Sequence, residues 1–450
     1  MRLYINVSGY VGGMTNCPKG ETDQNCYLWR ANNLVVAPAE PGSVNWLDYS
    51  PHVAVSTYAN YNDIAAAYEA RAADKSRVTP MVKLLADSIV RGAKDKQSQA
   101  KMLYGWVASN IRYVAVYLGA GTIVPHTADV VIEHRYGDCK DHVVLLESLL
   151  AAEGIESTGV LINASNAYKI MPVPDFNNFN HILTYIPSMH RYVDSTIQFA
   201  PFGVLSTSEI GKYALKVKPI GGERQLDIVS TKEVPPTQMY TNISMSINAD
   251  GTVSGTAKIM DTGMGEFLDR AIFANIQPGQ ESRAASQILS SEAEPGSGQF
   301  AHGDPHDLSK PFEYGTSFTL PHLISIPGPG AFTIPKGLGN LSDIKAFADG
   351  FSIKNRRYPL AGCVDFEKTE EYKIRLPHQV RMTNLPHSVD VATDIGRYQS
   401  AYAVSGQTLT VTRHLRTLGL TGVCSLPQYQ QLRDLSTAVG RDLRAQVLYQ

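Results

Sequence analysis

The sequence lacks any continuous apolar stretch of about 20 residues, the length that a membrane-spanning helix requires. It also lacks a long basic run or a lysine-rich tail, and its formal net charge is −2. This charge pattern gives no indication of nucleic-acid binding. Zinc motifs of the CxxC and HExxH types are missing, and no internal repeat is evident. We therefore predict no membrane span and no nucleic-acid partner, and we expect no metal or other cofactor.

A secretory signal is also missing, because no basic segment followed by an apolar block stands at the start of the chain. Instead, Leu3, Ile5 and Val7 alternate with polar or aromatic residues, a pattern that predicts a strand. We interpret a chain that opens in a strand as a fragment, or as one with a wrongly chosen start. On this interpretation, a signal for export would lie upstream of Met1.

Cysteine is scarce, with five residues in 450. Cys17 and Cys26 flank a polar loop, and Cys363 and Cys424 fall in one predicted β domain. Two disulfides would leave Cys139 as an odd thiol and would indicate an exported protein. Five free cysteines in a cytosolic protein are the alternative. Sequence does not fix connectivity, so both interpretations stay open.

The length of the chain and its 43% of apolar residues predict two or three globular domains. Residues 1–50 are interpreted as the remnant of an N-terminal β domain with a linker. Residues 51–230 place helices before strands, which predicts an α+β fold. Residues 231–450 alternate and carry turn signals, which predicts a β-rich, sandwich-like domain with helical insertions and a C-terminal helix over about 427–448.

Spacing of apolar residues predicts the individual elements. A buried helix is predicted to begin after Asp138, a good N-cap, and to end at Gly154. A loop rich in Gly, Pro, Ser and His is predicted over 294–310. The other predicted helices cover 78–93, 99–114, 262–276 and 281–291, and the core strands cover 157–163, 180–186 and 191–196.

Cys139 stands at the predicted start of the buried helix, in "YGDCKD". A helix N-terminus favours negative charge and so favours a reactive thiolate. His181 and Asp194 fall on adjacent predicted strands joined by a short turn. A loop of Pro187–Ser188 would place them directly opposite, and a loop of Pro187–His190 would make them diagonal neighbours. In either register both share one sheet face, which predicts a Cys-His-Asp triad.

The oxyanion donors of such a site are only partly defined by the sequence. The backbone N–H of Cys139 is a natural donor, because it stands at a helix start. The side chains of Trp106, Tyr136 and Asn180 are candidates for a second donor, and the choice among them stays open.

Acidic residues beside the thiol allow two interpretations. Asp138 and Asp141 are predicted to cap the helix, although Asp141 would also oppose ionisation of Cys139. Lys140 would partly offset that charge. A metal site formed by His134, Cys139 and His142 is the rival interpretation, but zinc usually requires three or four ligands at compact spacing, and none is expected here.

The segments "YGDCKD", "NHILTYI" and "YVDST" together resemble the transglutaminase-like superfamily of papain-type thiol enzymes. "WVASNIRYVAV", which precedes them, resembles the bacterial branch of that superfamily. The resemblance covers about 50–210 and assigns the triad to Cys139, His181 and Asp194. It implies a papain/transglutaminase-like core between β domains, an exported protein and a periplasmic location. The N-terminal β domain of that branch is expected to be mostly absent from this chain.

The resemblance and the predicted triad lead to one functional hypothesis and one alternative. The hypothesis is a thiol-dependent acyl-transfer enzyme that acts on peptide or amide bonds. Water as acceptor would make it a protease or amidase, and a lysine amine would make it a transglutaminase. The alternative is a catalytically silent scaffold at the envelope, which uses the core to recognise a peptide and its β-rich domain to bind a partner.

Overall fold

The computed structural model describes residues 2–17, 25–32, 38–115, 119–321, 324–326 and 328–450. None of the helices in these ranges combines the length and apolar character needed to cross a membrane. The architecture is α+β, with helices packed on an antiparallel sheet in the first half and larger sheets in the second.

Two small antiparallel hairpin-like pairs form the beginning of the chain. Strand β1 pairs with β4, and β2 pairs with β3, which confirms the strand predicted at the start. Asp48 accepts hydrogen bonds from the backbone N–H groups of Tyr168 and Lys169, so this segment is anchored on the core. The predicted boundaries at 50 and 230 stay predictions. The strands are β1 (Tyr4–Ser8), β2 (Val11–Thr15), β3 (Cys26–Arg30) and β4 (His52–Ser56).

Helices dominate the next part of the chain, as their apolar spacing predicts. The helices predicted over 78–93 and 99–114 are both present; the first is shorter at each end, and the second begins and ends earlier than predicted. The sequence "YVAVYLG" predicts an extended exit from the second helix, and this segment continues into 116–118, outside the described residues. α5 is buried from Lys140 to Leu150, because it is apolar on all sides and packs among the other helices. The elements are α1 (Tyr61–Ala72), α2 (Pro80–Ile89), α3 (Lys96–Asn110), β5 (Arg112–Tyr113), α4 (Ala128–His134), β6 (Tyr136–Gly137) and α5 (Cys139–Ala152).

A five-stranded antiparallel sheet supports α5. Val143 of the helix packs with Leu161 and Ile182 of two neighbouring strands. Ile186 pairs with Arg191, so the connecting loop is Pro187–His190, and the second of the two predicted registers is confirmed. In spatial order, the strands are β11 (Leu226–Ile228), β10 (Tyr213–Lys216), β7 (Thr158–Ile162), β8 (His181–Ile186) and β9 (Arg191–Val193).

An eight-stranded sheet dominates the second half, in the order β14-β15-β13-β12-β18-β22-β21-β20. Smaller sheets, β16-β24-β19 and β17-β23, complete it. The turn sequence "ADGT" predicts a hairpin, and β12 and β13 form it. The elements are β12 (Gln238–Ile247), β13 (Val253–Asp261), α6 (Met264–Ala274), α7 (Glu281–Ser291), β14 (Ser297–His302), β15 (Glu313–Leu320), β16 (Gly330–Thr333), α8 (Ile344–Asp349), β17 (Leu360–Val364), β18 (Glu367–Arg375), β19 (Met382–Asn384), β20 (Val389–Thr393), β21 (Gly396–Ser405), β22 (Thr408–Thr417), β23 (Thr421–Cys424), α9 (Leu426–Leu443) and β24 (Gln446–Tyr449).

Two predicted elements of this half were wrong in part. The loop predicted over 294–310 contains β14, and the helix predicted over about 427–448 ends at Leu443 and is followed by β24. β14 is an edge strand held by main-chain pairing to β15, so its composition need not be apolar. β24 pairs on both sides within its sheet, so long-range pairing overrides the local helical pattern.

Two disulfides are present, Cys17–Cys26 and Cys363–Cys424. The second joins β17 to β23. Cys139 is free and half-buried. The structure therefore agrees with the bridged alternative, in which Cys139 is the odd thiol.

A buried pair of carboxyl groups lies beneath the eight-stranded sheet. Asp261 ends β13 and accepts two hydrogen bonds from the Asn340 amide, and Asp269 of α6 is fully buried beside it. Burial raises the pKa of Asp261 to about 6. Burial, together with the nearby Asp261, raises the pKa of Asp269 to about 9. The folded state therefore holds protons that the unfolded chain releases above pH ~4.

Asp269→Asn should make the protein less sensitive to alkaline pH. A raised folded-state pKa contributes stability at low pH, and that stability is lost as pH rises from about 4 through about 9. The side-chain amide of the variant is neutral at both pH values. The difference in melting temperature, variant minus wild type, should therefore be at least ~2 °C larger at pH 9 than at pH 5. Thermal melts at both pH values measure this. The exposed Asp434→Asn is the control, and an equal gap at the two pH values would contradict the prediction.

Candidate active site

Cys139 is positioned by the capped start of α5. Asp138 is the N-cap and Asp141 completes a reciprocal capping box, which confirms the predicted capping roles. Gly137 is required here, since a Cβ at this position would lie 2.5 Å from the Asp141 Cβ. The Cys139 thiol is half-buried, and its backbone N–H donates to no acceptor in the described parts of the chain. The first residue of α5 therefore carries both a thiol and an unpaired backbone N–H.

His181 and Asp194 meet across β8 and β9, as diagonal neighbours of the confirmed register. The His181 Nε2 lies 2.7 Å from an Asp194 carboxylate oxygen. The other Asp194 oxygen accepts hydrogen bonds from the Thr196 N–H at 2.9 Å and hydroxyl at 2.7 Å. The hydroxyl of Tyr104, from α3, donates to the Asp194 main-chain carbonyl at 3.1 Å. These contacts hold the carboxylate against the imidazole.

The electrostatics of this pair favour a charged imidazole. Burial lowers the pKa of His181, but the Asp194 carboxylate and a hydrogen bond with Cys139 outweigh burial, so the pKa lies well above 6.5. Burial raises the pKa of Asp194, yet the imidazole of His181 holds it below its usual range. The Cys139 thiol is thus close enough to His181 to raise its pKa, while Asp194 is in direct hydrogen-bond contact with the imidazole. An imidazolium beside a thiol stabilises the thiolate.

The acidic residues beside the thiol are engaged by other groups. Asp138 forms an ion pair with the Lys140 ammonium and accepts the Lys140 N–H at 3.2 Å. Asp141 accepts the backbone N–H of His126 at 2.8 Å and lies 3.1 Å from its ring Nδ1. The charge of Asp138 is thus balanced, whereas that of Asp141 is balanced only when His126 is protonated.

The predicted second oxyanion donors are not connected to Cys139 by these contacts. Trp106 packs in the helical core, with the Arg135 guanidinium 4.8 Å from its ring centre. Tyr136 is exposed and stacks on His134. The amide oxygen of Asn180 accepts the N–H of Ala164.

Tyr68 is a residue that sequence reasoning missed. It comes from α1 and is buried in the same apolar cluster as Cys139. Burial raises its pKa well above 10, and the neighbouring Cys139 adds to the rise, so its hydroxyl keeps its proton. Nothing in the local sequence of α1 distinguishes Tyr68 from a core residue.

Glu209 is the second residue that was missed. Its Oε1 lies 3.7 Å from the His181 Nε2, and its side chain is 3% exposed. It stands in a turn before β10, outside the predicted strands. Only the folded sheet brings it to the site, so no sequence signal could have found it.

The rival metal set does not form a cluster. Among the described residues, His134, Cys139 and His142 do not bring three ligand atoms together. His142 is buried, and burial lowers its pKa to about 4, which fits a neutral packing residue. The ligand-type atoms that do lie within 4.8 Å of one another belong to His181, Asp194 and Glu209.

Replacing Asp141 by Asn should make Cys139 more reactive at acid pH. The amide keeps an acceptor for the Asp138 N–H. It removes the carboxylate charge of Asp141, and that negative charge opposes formation of the Cys139 thiolate at the same helix start. We expect alkylation of Cys139 to be about 2- to 5-fold faster at pH 5–6, from the ~0.3–1 kcal/mol typical of such charges. Rates of iodoacetamide labelling measure this. Asp87→Asn, on the exposed surface of α2, is the control, and an unchanged rate in Asp141→Asn would refute the prediction.

Comparison with known proteins supports the fold. A family model described as the transglutaminase-like superfamily matches residues 83–184, and another, the domain of unknown function DUF3858, matches residues 334–449. No curated protein matches the chain. A solved structure from Parabacteroides distasonis, named a "putative protease", superposes with a TM-score of 0.62 at 12% identity, over 100% of this chain and 70% of that one. At an identity this low, the superposition shows that the two chains share a fold and shows no more than that.

Proposed function

We propose that this protein, whose residues 83–184 match the transglutaminase-like superfamily model, is a thiol enzyme that transfers acyl groups from peptide or amide bonds. The observation that carries the proposal is the hydrogen bond of His181 with Asp194, together with a free Cys139 at the helix start that raises the pKa of His181. A half-buried thiol with a charged imidazole beside it has the features of an activated nucleophile.

The mechanism follows from the roles of these groups. The Cys139 thiolate attacks the carbonyl carbon, and the developing oxyanion accepts a hydrogen bond from the free backbone N–H of Cys139. His181 gives its proton to the leaving amine as the C–N bond breaks, which leaves an acyl-thioester. His181 then removes a proton from the acceptor as the acceptor attacks the thioester carbonyl. The C–S bond breaks and the Cys139 thiolate leaves. Asp194 occupies Nε2, so Nδ1 is the ring nitrogen left for the thiol.

Hydrolysis is the form of this chemistry that we propose first. The similar structure from Parabacteroides distasonis is named a "putative protease", which supports water as the acceptor. A lysine amine would complete the same reaction as a transamidation. Release of free amine without incorporation of an added amine would distinguish hydrolysis from transamidation.

We also propose that the protein is exported to an oxidising compartment such as the periplasm. The two disulfides support this, because disulfides persist mainly in oxidising compartments. The β-rich second half would then face an envelope partner.

His181→Ala should slow labelling of Cys139 by a thiol-reactive probe near neutral pH by about 10²-fold or more, within the range that positioned acid–base groups contribute. Cys139→Ala should abolish labelling, since Cys139 is the free thiol of the chain. Turnover of peptide substrates should also fall in both variants. Mass spectrometry of the labelled peptide measures the rate.

His306→Ala, in an exposed loop, is the matched control and should behave as the wild type. Slow labelling of the wild type, with no effect of His181→Ala, would overturn the proposal. That result would favour the silent scaffold, in which the core only recognises a partner.

A further inference from the structure

Glu209 is a buried carboxyl group that the mechanism above leaves without a role. Its Oε2 accepts the Ser206 N–H at 2.9 Å, while the Glu209 N–H closes the same turn onto the Ser206 carbonyl. This two-sided turn fixes the direction of the side chain. Its Oε1 is then directed at the edge where Asp194 and His181 meet, 3.7 Å from the His181 Nε2.

The charges around this group do not balance if both carboxyl groups ionise. Within the described ranges, neither Asp194 nor Glu209 forms an ion pair with a lysine or arginine, and His181 is the one cationic partner of both. Both carboxyl groups are almost fully buried. Tyr104, from α3, adds a neutral hydroxyl. The carboxyl oxygens of Asp194 and Glu209 lie within 4.8 Å of each other. Two buried like charges this close disfavour each other's ionised form, so one of the two groups retains a proton.

We propose that Glu209 is a positioning residue of this site, a protonated carboxylic acid that donates a hydrogen bond to Asp194 and holds it against His181. This inference rests on the proposed function. Asp194 then accepts from His181, from Thr196 and from Glu209, which leaves its carboxylate little freedom to turn.

The titration behaviour of the two acids agrees with this geometry. Burial, and then the Asp194 charge, raises the pKa of Glu209 well above 4.5. Asp194 shifts in the opposite direction and stays ionised, because His181 and Glu209 both donate to it. Two carboxyl groups whose environments drive their pKa values apart divide the roles of charged acceptor and neutral donor.

Glu209→Gln and Glu209→Leu separate the donor from the charge. The amide of Gln can accept from Ser206 and donate to Asp194, so Cys139 should be alkylated within about threefold of the wild-type rate at pH 7. The acid limb of the profile, the pH range over which the alkylation rate falls on acidification, should be unchanged. Leu donates nothing, so labelling should slow by tenfold or more and the acid limb should move towards neutral pH. Glu147→Leu, which removes a buried carboxyl paired with Lys218, is the matched control and should keep the wild-type profile.

Infrared difference spectroscopy provides the second measurement and does not require Glu209→Leu to fold. The wild type minus Glu209→Gln should show a protonated carboxyl band at pH 7. An absent band overturns the inference, as does an acid limb moved by half a pH unit or more in Glu209→Gln, or a Glu209→Leu profile that superposes on the wild type. Slow, His181-independent labelling of the wild type overturns the proposed function instead, so the two failures are distinct.

Discussion

The hydrogen bond between His181 and Asp194 is the contact on which the candidate site depends. It exists because β8 and β9 are joined by Pro187–His190, whose length fixes the register. A shift by one residue would move one of the two side chains to the other face of the sheet. The buried setting gives the contact its strength, since burial removes competing water and Thr196 holds the carboxylate from the other side.

α5 supplies the second half of the same arrangement. Its apolar body is buried against β7 and β8, so the position of its first residue is determined by the packing of the whole helix. The capping box then sets where the helix begins and leaves the Cys139 N–H unpaired. The acidic caps that stabilise the helix also oppose the thiolate. The structure moderates this conflict by pairing Asp138 with Lys140 and Asp141 with the His126 backbone.

Much of this arrangement could be predicted from the sequence because its causes are local. The N-cap at Asp138, the buried helix after it and the short loop between two strands follow from neighbouring residues, and parity then places His181 and Asp194 on one face. Tyr68 and Glu209 could not be found in this way, since only tertiary packing brings Tyr68 to the thiol and Glu209 to His181. β24 was missed for the same reason, because its partners β16 and β19 are distant in sequence. β14 pairs with the next strand along the chain, and its polar composition concealed it.

The β-rich half also supports the core directly. The turn that carries Glu209 continues to Gly211, where a Cβ would lie 2.1 Å from the Thr421 carbonyl oxygen. Gly422 makes the reciprocal approach to Ile210, so two backbones pack at contact distance. β23, which contains these partners, is joined to β17 by the Cys363–Cys424 disulfide. The turn that carries the Glu209 carboxyl group is thus packed against an element of the second half that a disulfide fixes in place.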